Sequence, residues 1–416
     1  MLARLKALSP FQTPEGKRLA VLFGIVYFAQ GMWYLPVQVI TISLKDRGLS
    51  AGQVADFFAI TLVPWLIKPI YGLVSDFVPL FGYRRKSYLY ITSAAAGLAG
   101  LTLGLTGEQS YWRMAYLFTA MAFGLAFTDV LIDALMVENG KPLGLTGAFQ
   151  SVQWAAIMTA SILVGELGGY LAGHRLLQES FFIAACFPLV SLLMAVFVVR
   201  EAPAPPAGKE FRETWAAIRA ALRVRDVWIV GGFIFFFTFS PSFGPALLFY
   251  QTDVLHFSQQ FIGHLLALSA VGAVLGAVIY APLSRRMPLR SLINLSITLS
   301  VAGTLGYLVY RDAWSAIVID TLFGCLGMLT QLAFLDLAAK SCPRHVEATF
   351  FALFASVYNV GTQASQNVGG RLYDHLGYLP LVLISTAMTA ATWLLVPLVK
   401  IDRIEARARQ AEAPAV

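Results

Sequence analysis

Long apolar runs separated by short polar connections dominate the pattern of this chain. Each run holds the roughly 20 apolar residues that a helix needs to cross the hydrocarbon core of a bilayer. Because the runs are continuously apolar rather than alternating, they predict helices and not the strands of a membrane β-barrel. There are twelve, at approximately 19–42, 52–75, 87–106, 112–137, 145–171, 179–199, 227–251, 260–283, 290–309, 313–338, 346–370 and 378–399. The pattern therefore predicts an all-α, polytopic membrane protein with twelve transmembrane helices.

A polar stretch at 200–225 divides the twelve runs into two sets of six. It predicts a linker between an N-terminal six-helix bundle, residues 1–199, and a C-terminal six-helix bundle, residues 226–416. Most of the 30 Lys and Arg residues fall in loops on the side of the membrane that holds this linker and both termini. Because basic loops stay in the cytoplasm, both termini are predicted to be cytoplasmic.

Composition narrows the class of protein further. The chain is 58% hydrophobic and only 13% charged, which excludes a soluble globular domain. The net charge of +7 is explained by the basic loops, so no nucleic-acid partner is expected. The charged N-terminus lacks a cleavage site after a short apolar core, so no removable signal peptide is predicted. A multi-pass protein of a bacterial inner membrane is the expected result.

The two halves also resemble each other in sequence. Gly276 follows Gly72 by 204 positions, and Asp336 follows Asp133 by a nearly equal 203. Two six-helix bundles related by a parallel repeat resemble the major facilitator superfamily, whose substrate sites lie near the bilayer midplane between the bundles. The repeat therefore predicts this fold.

A motif after the second run makes the resemblance more specific. Gly72 and Asp76, followed by Gly82, Arg84 and Arg85, are similar to the loop between helices 2 and 3 of that superfamily. In this loop an aspartate comes four positions after a glycine, and a second glycine and paired bases follow. Here the segment between the aspartate and the second glycine is longer than usual.

That longer segment, with PWLIKP before it and PLFGYRR after it, resembles the folate-biopterin transporter family. Three other segments do so too: FAQGMWYLPV at 28–37, LKDRGLS at 44–50 and TDVLIDALMVE at 128–138. The resemblance covers most of the N-terminal half, and the C-terminal half mainly by architecture. It implies secondary transport of folate, a pterin or a related heteroaromatic organic anion, coupled to protons and working by alternating access. Muropeptide permeases and other organic-solute carriers of the superfamily are the alternative.

One cation stands inside an apolar run, where a charge is costly and usually functional. Lys68 lies eight residues above Asp76, at a depth of about 12 Å, and Asp129 lies nine residues above Glu138, at about the same depth. Lys68 and Asp129 are therefore expected to meet, with Asp133 one turn below on the same face. Two carboxylates and one ammonium can share a proton, as proton coupling requires. The alternative is a static ion pair that locks the two helices together.

Glu166 lies in the outer part of the fifth run, among glycines that permit close helix packing. It is a candidate second protonation site. Its two oxygens would also suit the adjacent donors on the amino-pyrimidine edge of a pterin, the substrate class that the resemblance implies. A structural acid that is hydrogen-bonded to a neighbouring helix is the alternative.

Polar residues at helical spacing form stripes that are expected to face an aqueous cavity. They are Tyr27, Gln30 and Tyr34 in the first run, Thr146, Gln150, Trp154 and Ser161 in the fifth, and Asn359, Gln363, Gln366 and Gly370 in the eleventh. Aromatic rings stack on a flat heterocycle, and amides satisfy its donors and acceptors. Hydrogen bonding between helices is the alternative interpretation.

The loops at the cytoplasmic ends of the helices hold a candidate gate, to which Gly72 of the motif also belongs. Asp76 is predicted to face the positive N-terminal end of the eleventh helix. The bases Arg84 and Arg85 are expected to pair with acids such as Glu138. In the second half, Asp336 is expected to pair with a base of its own membrane face.

Motifs of enzymes are absent from the sequence. It contains no His-Glu-x-x-His helix, no Gly-x-Ser-x-Gly turn and no Gly-rich phosphate loop. The five histidines are scattered, so we predict no metal site and no cofactor. A receptor without transport would not need a duplicated bundle. The expected partners are a small-molecule substrate, protons and the lipid bilayer, and the chain is expected to act as a monomer.

Overall fold

The computed structural model of the protein describes residues 10–107, 110–203, 208–343 and 347–412. Every regular element in these ranges is a helix, which confirms the predicted all-α class. The helices before the linker are α1 (Pro14–Gly31), α2 (Leu35–Asp46), α3 (Ala51–Leu66), α4 (Lys68–Phe77), α5 (Lys86–Leu105), α6 (Tyr111–Leu143), α7 (Thr146–Gly173) and α8 (Leu177–Phe197). The linker itself contains α9 (Gly208–Ala221). The helices from its end onward are α10 (Arg225–Thr238), α11 (Pro245–Asp253), α12 (Gln259–Arg286), α13 (Leu289–Gly306), α14 (Ala313–Ser341), α15 (Glu347–Leu376), α16 (Tyr378–Ala391) and α17 (Ile401–Glu412).

These helices assemble into two compact units. The first takes the described residues up to Ile40 and from Ile70 to Gly208, and the second takes Thr41–Pro69 and the described residues from Lys209 onward. The hairpin at 41–69 comes from the first sequence half but packs with α11 and α15 of the second. The hairpin therefore belongs to the second compact unit, and the predicted division into two six-helix bundles stays a prediction.

Ten helical segments of the described chain are long and apolar enough to cross a membrane. The two predicted runs that lack such a segment are 227–251 and 346–370. The first is broken, because α10 ends at Thr238 and α11 begins at Pro245 after a Gly244 with a φ of +42°. The second is one helix, α15, of 30 residues, but its polar stripe lowers its hydropathy. The twelve predicted runs therefore correspond to ten apolar spans, one broken helix and one polar helix.

Proline and a short 3₁₀ turn interrupt the first two spans. A 3₁₀ turn at Met32–Tyr34 joins α1 to α2. The break between α3 and α4 falls at Ile67, between Pro64 and Pro69. A proline lacks the backbone N–H of a helical hydrogen bond, and its ring clashes with the carbonyl four residues earlier. The break makes Lys68 the first residue of α4.

Small residues allow close helix packing within each unit. A Cβ atom at Gly31 of α1 would lie 2.6 Å from the Cβ atom of Ala160 on α7. In the second unit, a Cβ atom at Gly272 of α12 would lie 2.0 Å from the backbone oxygen of Thr321 on α14. Glycine is therefore required where these helix pairs meet.

Candidate functional site

Two carboxylates on α6 lie inside the first unit. Asp129 is 4% exposed and accepts a hydrogen bond from Gln30 Nε2 at 2.7 Å. One turn further along, Asp133 accepts hydrogen bonds from the Tyr27 hydroxyl and, at 3.4 Å, from Gln153 Nε2. Neutral donors of α1 and α7 thus bind the acidic pair. The close packing of α1 on α7 brings these donors within reach of the two carboxylates.

The predicted cation of this site belongs to the other compact unit. Lys68 is half-buried at the start of α4, and its Nζ atom lies 4.7 Å from the centroid of the Trp65 ring. An ammonium above an aromatic face is attracted by the ring quadrupole, at about 0.5–2 kcal/mol depending on solvation. The predicted meeting of Lys68 with Asp129 and Asp133 stays a prediction.

A buried guanidinium joins three elements at one end of the first unit. Arg85 is 5% exposed, and its Nη2 atom donates to Asp76 and, at 2.7 Å, to Glu138 Oε1. Its Nη1 atom donates to Ser75 Oγ at 2.5 Å. Burial alone would lower the pKa of Arg85, but the carboxylates of Asp76 and Glu138 outweigh it, so the pKa is raised. This Arg85 cluster ties α4 to α6 with a permanent charge.

A linker acid completes the same region. The carboxylate of Glu201 accepts the backbone N–H groups of Arg84 at 2.9 Å, Arg85 at 3.1 Å and Lys86 at 2.8 Å. These groups precede or begin α5 and have no partner inside the helix. Glu201 therefore caps α5 and is stabilised by the helix dipole. Of the two predicted gate bases, Arg85 binds Glu138 with its side chain, and both donate their backbone N–H groups to Glu201.

A second polar cluster joins the 41–69 hairpin to α15 within the second unit. Asp374 accepts the first two backbone N–H groups of α3, from Ala51 at 3.1 Å and from Gly52 at 2.9 Å. A carboxylate in this position satisfies unpaired donors and favours the positive end of the helix. A residue from one sequence half thus caps a helix of the other half.

Ion pairs strengthen this attachment. Arg371 Nη2 lies 3.0 Å from Asp56 Oδ1, and Lys45 Nζ lies 2.6 Å from Asp253 Oδ1 on α11. We call Lys45, Asp56, Asp253, Arg371 and Asp374 the hairpin latch. Most of these side chains are substantially exposed, so each ion pair contributes only about 0–1 kcal/mol. The ion pairs alone therefore contribute little to the attachment of the hairpin to α15.

The predicted polar stripes are partly used for contacts between helices. On α15, Gln363 is buried and donates to Asn367 Oδ1 at 2.8 Å and to the backbone oxygen of Ala55 at 3.4 Å. Gln366 packs on Gly244, because a Cβ atom added at Gly244 would lie 3.0 Å from the Cβ atom of Gln366. These contacts match the alternative interpretation, helix-to-helix packing, for this stripe. Asn359 is half-buried on the same helix.

In the first unit some stripe residues are accessible, whereas Tyr27 is fully buried. Tyr34 is 54% exposed in the 3₁₀ turn, Gln150 is exposed on α7, and Trp154 is half-buried one turn further along. Glu166 is also exposed on α7, while its glycine neighbours are buried. Exposed amide, aromatic and acidic groups on neighbouring elements suit a polar aromatic ligand.

Two other predicted gate residues, Asp336 and Gly72, have contacts with one neighbouring residue each that the structure defines. Asp336 forms an ion pair with Lys340, one helical turn away on α14, at 2.8 Å. Gly72 lies on α4, where a Cβ atom would be in ordinary contact with Val130 of α6 at 3.7 Å. Gly72 therefore tolerates a small side chain in this conformation.

The latch acids and Glu201 were missed by the sequence patterns. Asp56 could have been found, because it is an acid inside the predicted apolar run 52–75 and a charge in such a run is usually functional. Asp374 and Glu201 carry no local signal, because each caps a helix that is distant in sequence.

Solved structures define the fold. The chain is similar to a crystal structure of the nucleoside transporter NupG, with a TM-score of 0.72 at 13% identity over 93% of this chain and 99% of that chain. It is also similar to a POT family transporter in complex with 5-aminolevulinic acid, with a TM-score of 0.71 at 12% identity over 96% and 98%. At these identities the likeness shows the fold alone, and that fold is the major facilitator fold.

Sequence relatives define the family. The model of the BT1 family matches residues 28–401. A folate-biopterin transporter of Synechocystis sp. is 31% identical over 88% of this chain and 76% of its own length. A probable folate-biopterin transporter 4 of Arabidopsis thaliana is 25% identical over 87% and 91%, and folate transporter 1 of Plasmodium falciparum is 22% identical over 81% and 69%. The chain belongs to the BT1 family of folate-biopterin transporters, which confirms the resemblance found in the sequence and makes it a transport protein rather than an enzyme.

Proposed function

We propose that this protein carries folate, a pterin or a related heteroaromatic organic anion across the membrane as a monomer, driven by protons. The observation that carries the substrate class is the likeness to a folate-biopterin transporter over most of both chains. The chemistry of the first unit supports it. The exposed Tyr34 and Gln150 and the half-buried Trp154 offer a ring to stack on and an amide to pair with a heterocycle.

Lys68 is the proposed partner of the substrate's negative charge. Its half-buried ammonium lies next to the helix break at Ile67, where neighbouring backbone groups lack helical partners. A partly desolvated ammonium binds a carboxylate more strongly than an exposed one does. In the absence of substrate, Asp129 and Asp133 are the proposed competitors for this charge, and proton binding by either acid would release Lys68.

Alternating access is the proposed mode of transport. We assign the termini to the cytoplasm of a cell whose inner membrane holds the protein. The Arg85 cluster then lies on the cytoplasmic side and the hairpin latch on the outer side. Because the ion pairs of the latch are weak individually, they add little to the cost of separating the hairpin from α15. Exposed ion pairs of this kind suit a gate that opens once in each cycle.

Equilibrium binding to the purified protein tests the substrate class. Labelled folic acid and labelled biopterin are expected to bind saturably and to compete with each other. Lys68→Ala is expected to weaken folate binding by about 10–150-fold, the usual range for a hydrogen bond to a charged group. Lys86→Ala, a base outside the apolar run, is the matched control. Displacement by a muropeptide, with no binding of either labelled compound, would establish the muropeptide-permease alternative instead.

A further inference from the structure

A buried carboxylate of the second unit has no role in the site described above. Asp320 lies on α14 within a membrane span and is 7% exposed. Its Oδ1 atom accepts the Tyr307 hydroxyl at 3.0 Å, and its Oδ2 atom accepts the Tyr310 hydroxyl at 2.8 Å. Within the described part of the chain, Asp320 forms no ion pair. Two neutral phenols are thus its hydrogen-bond partners.

Aromatic packing holds these phenols in place. The rings of Tyr250 and Tyr378 are stacked at 3.7 Å between centroids. The Tyr250 hydroxyl donates to the backbone oxygen of Tyr310 at 3.3 Å, and the Tyr378 hydroxyl donates to that of Tyr307 at 3.0 Å. The turn that carries both partners of Asp320 is therefore clamped between α11 and α16. The carboxyl lies in a preformed polar pocket and not in a loose cavity.

Such a pocket favours the exchange of a proton. An ionised carboxylate in an apolar span is costly unless a cation compensates it, and here its donors are neutral. A protonated carboxyl can donate its own hydrogen to a phenol oxygen, because a hydroxyl both donates and accepts. Both protonation states of Asp320 therefore keep hydrogen-bond partners without a counterion.

The pocket is connected to the hairpin latch through one short helix. Gln251 Nε2 of α11 donates to the Tyr310 hydroxyl at 2.5 Å, and two residues later Asp253 binds Lys45 of the latch. A change in the hydrogen bonds of Tyr310 therefore acts on the helix that carries one half of an ion pair of the latch.

We propose that Asp320 is a proton-binding site of this carrier, which biases the hairpin latch through Tyr310 and Gln251 of α11. The proposal rests on the proposed function, because it supplies a second coupling acid besides those on α6. The ionisable groups around it are Tyr250, Tyr307, Tyr310 and Tyr378, with Arg311 beside Tyr250. His264 and Tyr280 lie on α12, which packs along α14, and Tyr280 is close to Asp336.

Asp320→Asn tests the proposal, since asparagine keeps the shape and accepts one phenol but cannot ionise. Two reference values are first measured on proteoliposomes that contain the wild-type protein. They are folate accumulation under a proton gradient and folate exchange without a gradient. In the variant, accumulation is expected to fall by about tenfold or more, within the usual range of coupling between two ligands, while exchange stays near the wild-type rate. Asp312→Asn, which alters an exposed acid at the start of the same helix, is the control. Unchanged accumulation in Asp320→Asn overturns the proposal.

A direct proton measurement keeps the test independent of transport and of damage to the fold. Purified wild-type protein is expected to bind one more proton than Asp320→Asn when both are titrated across the pH range in which folate is transported. Equal proton binding by the two proteins overturns the proposal.

Tyr310→Phe keeps the ring and removes one donor to the ionised carboxylate, so its proton binding is expected to move to higher pH. Wild-type protein that binds this proton but neither accumulates nor exchanges folate would refute the proposed substrate and leave the proton site standing.

Discussion

Arg85 is the side chain on which most of the order at one end of the first unit depends. One guanidinium reaches Ser75 and Asp76 on α4 and Glu138 on α6. Lysine is not equivalent, because a single ammonium cannot present the planar fork that serves several acceptors at once. The raised pKa of Arg85 means that its stabilising charge is present below the pKa of the unfolded chain and is lost only as pH rises through the folded value. The contribution is therefore constant across the neutral range.

Replacing Arg85 should destabilise the protein measurably. Both of its acids are about half exposed, so water screens part of the attraction. We expect Arg85→Gln to reduce stability by about 1–3 kcal/mol, below the loss for a fully buried pair. Arg85→Lys should fall between this variant and the wild type. Thermal unfolding in detergent measures the effect, with Lys86→Gln as the neighbouring control. Equal melting temperatures for Arg85→Gln and the control would contradict the structural role of the cluster.

Some of the residue contacts could be predicted from the sequence. The bases after Asp76 were expected to pair with acids such as Glu138, and Arg85 is in contact with Glu138. No such expectation existed for Glu201, because linker residues have no helical register from which their neighbours can be inferred. It also fails for the partners of Asp320, since Tyr307 and Tyr310 lie in a turn where hydrophobic periodicity ends.

At the scale of single elements, apolar runs predicted most helices but not their breaks. The run 227–251 is continuous by composition, yet the helix stops after Thr238. The signals were present, because Pro241 and Gly244 stand within six residues of that end. A count of apolar residues gives no weight to Pro241 and Gly244. The run 227–251 was therefore predicted as one continuous helix. The break matters because it makes α11 a separate helix between the hairpin latch and Asp320.

The contact between α12 and α14 gives a prediction at the same scale. A methyl group at Gly272 would lie 2.0 Å from the backbone oxygen of Thr321, so Gly272→Ala must push the helices apart. We expect a loss of about 1–3 kcal/mol, as is usual for overpacking. Gly327→Ala on α14 is the matched control, since no atom lies within 4 Å of a Cβ there. Because alanine favours a helix more than glycine does, the control should be unchanged or slightly stabilised. Similar melting temperatures for the two variants would mean that the helices are not packed as described.

At the scale of the whole molecule, the internal repeat gave no indication of where the hairpin at 41–69 packs. These residues belong to the second compact unit, in which Asp374, Asp56 and Arg371 connect α3 to α15. A repeat compares each residue with its counterpart and carries no information about contacts between the copies. The hairpin latch is therefore a property of the folded chain, and in the proposed cycle it opens and closes without any change in secondary structure.

The most direct test of the proposed function is uptake of labelled folate and of a simple pterin into proteoliposomes, with and without an imposed proton gradient. Unlabelled muropeptide is the competitor, and liposomes without protein are the control. We predict accumulation of folate or pterin that requires the gradient and resists the muropeptide. Absence of uptake of either compound by protein shown to be folded would contradict the substrate class, although the major facilitator fold would still hold.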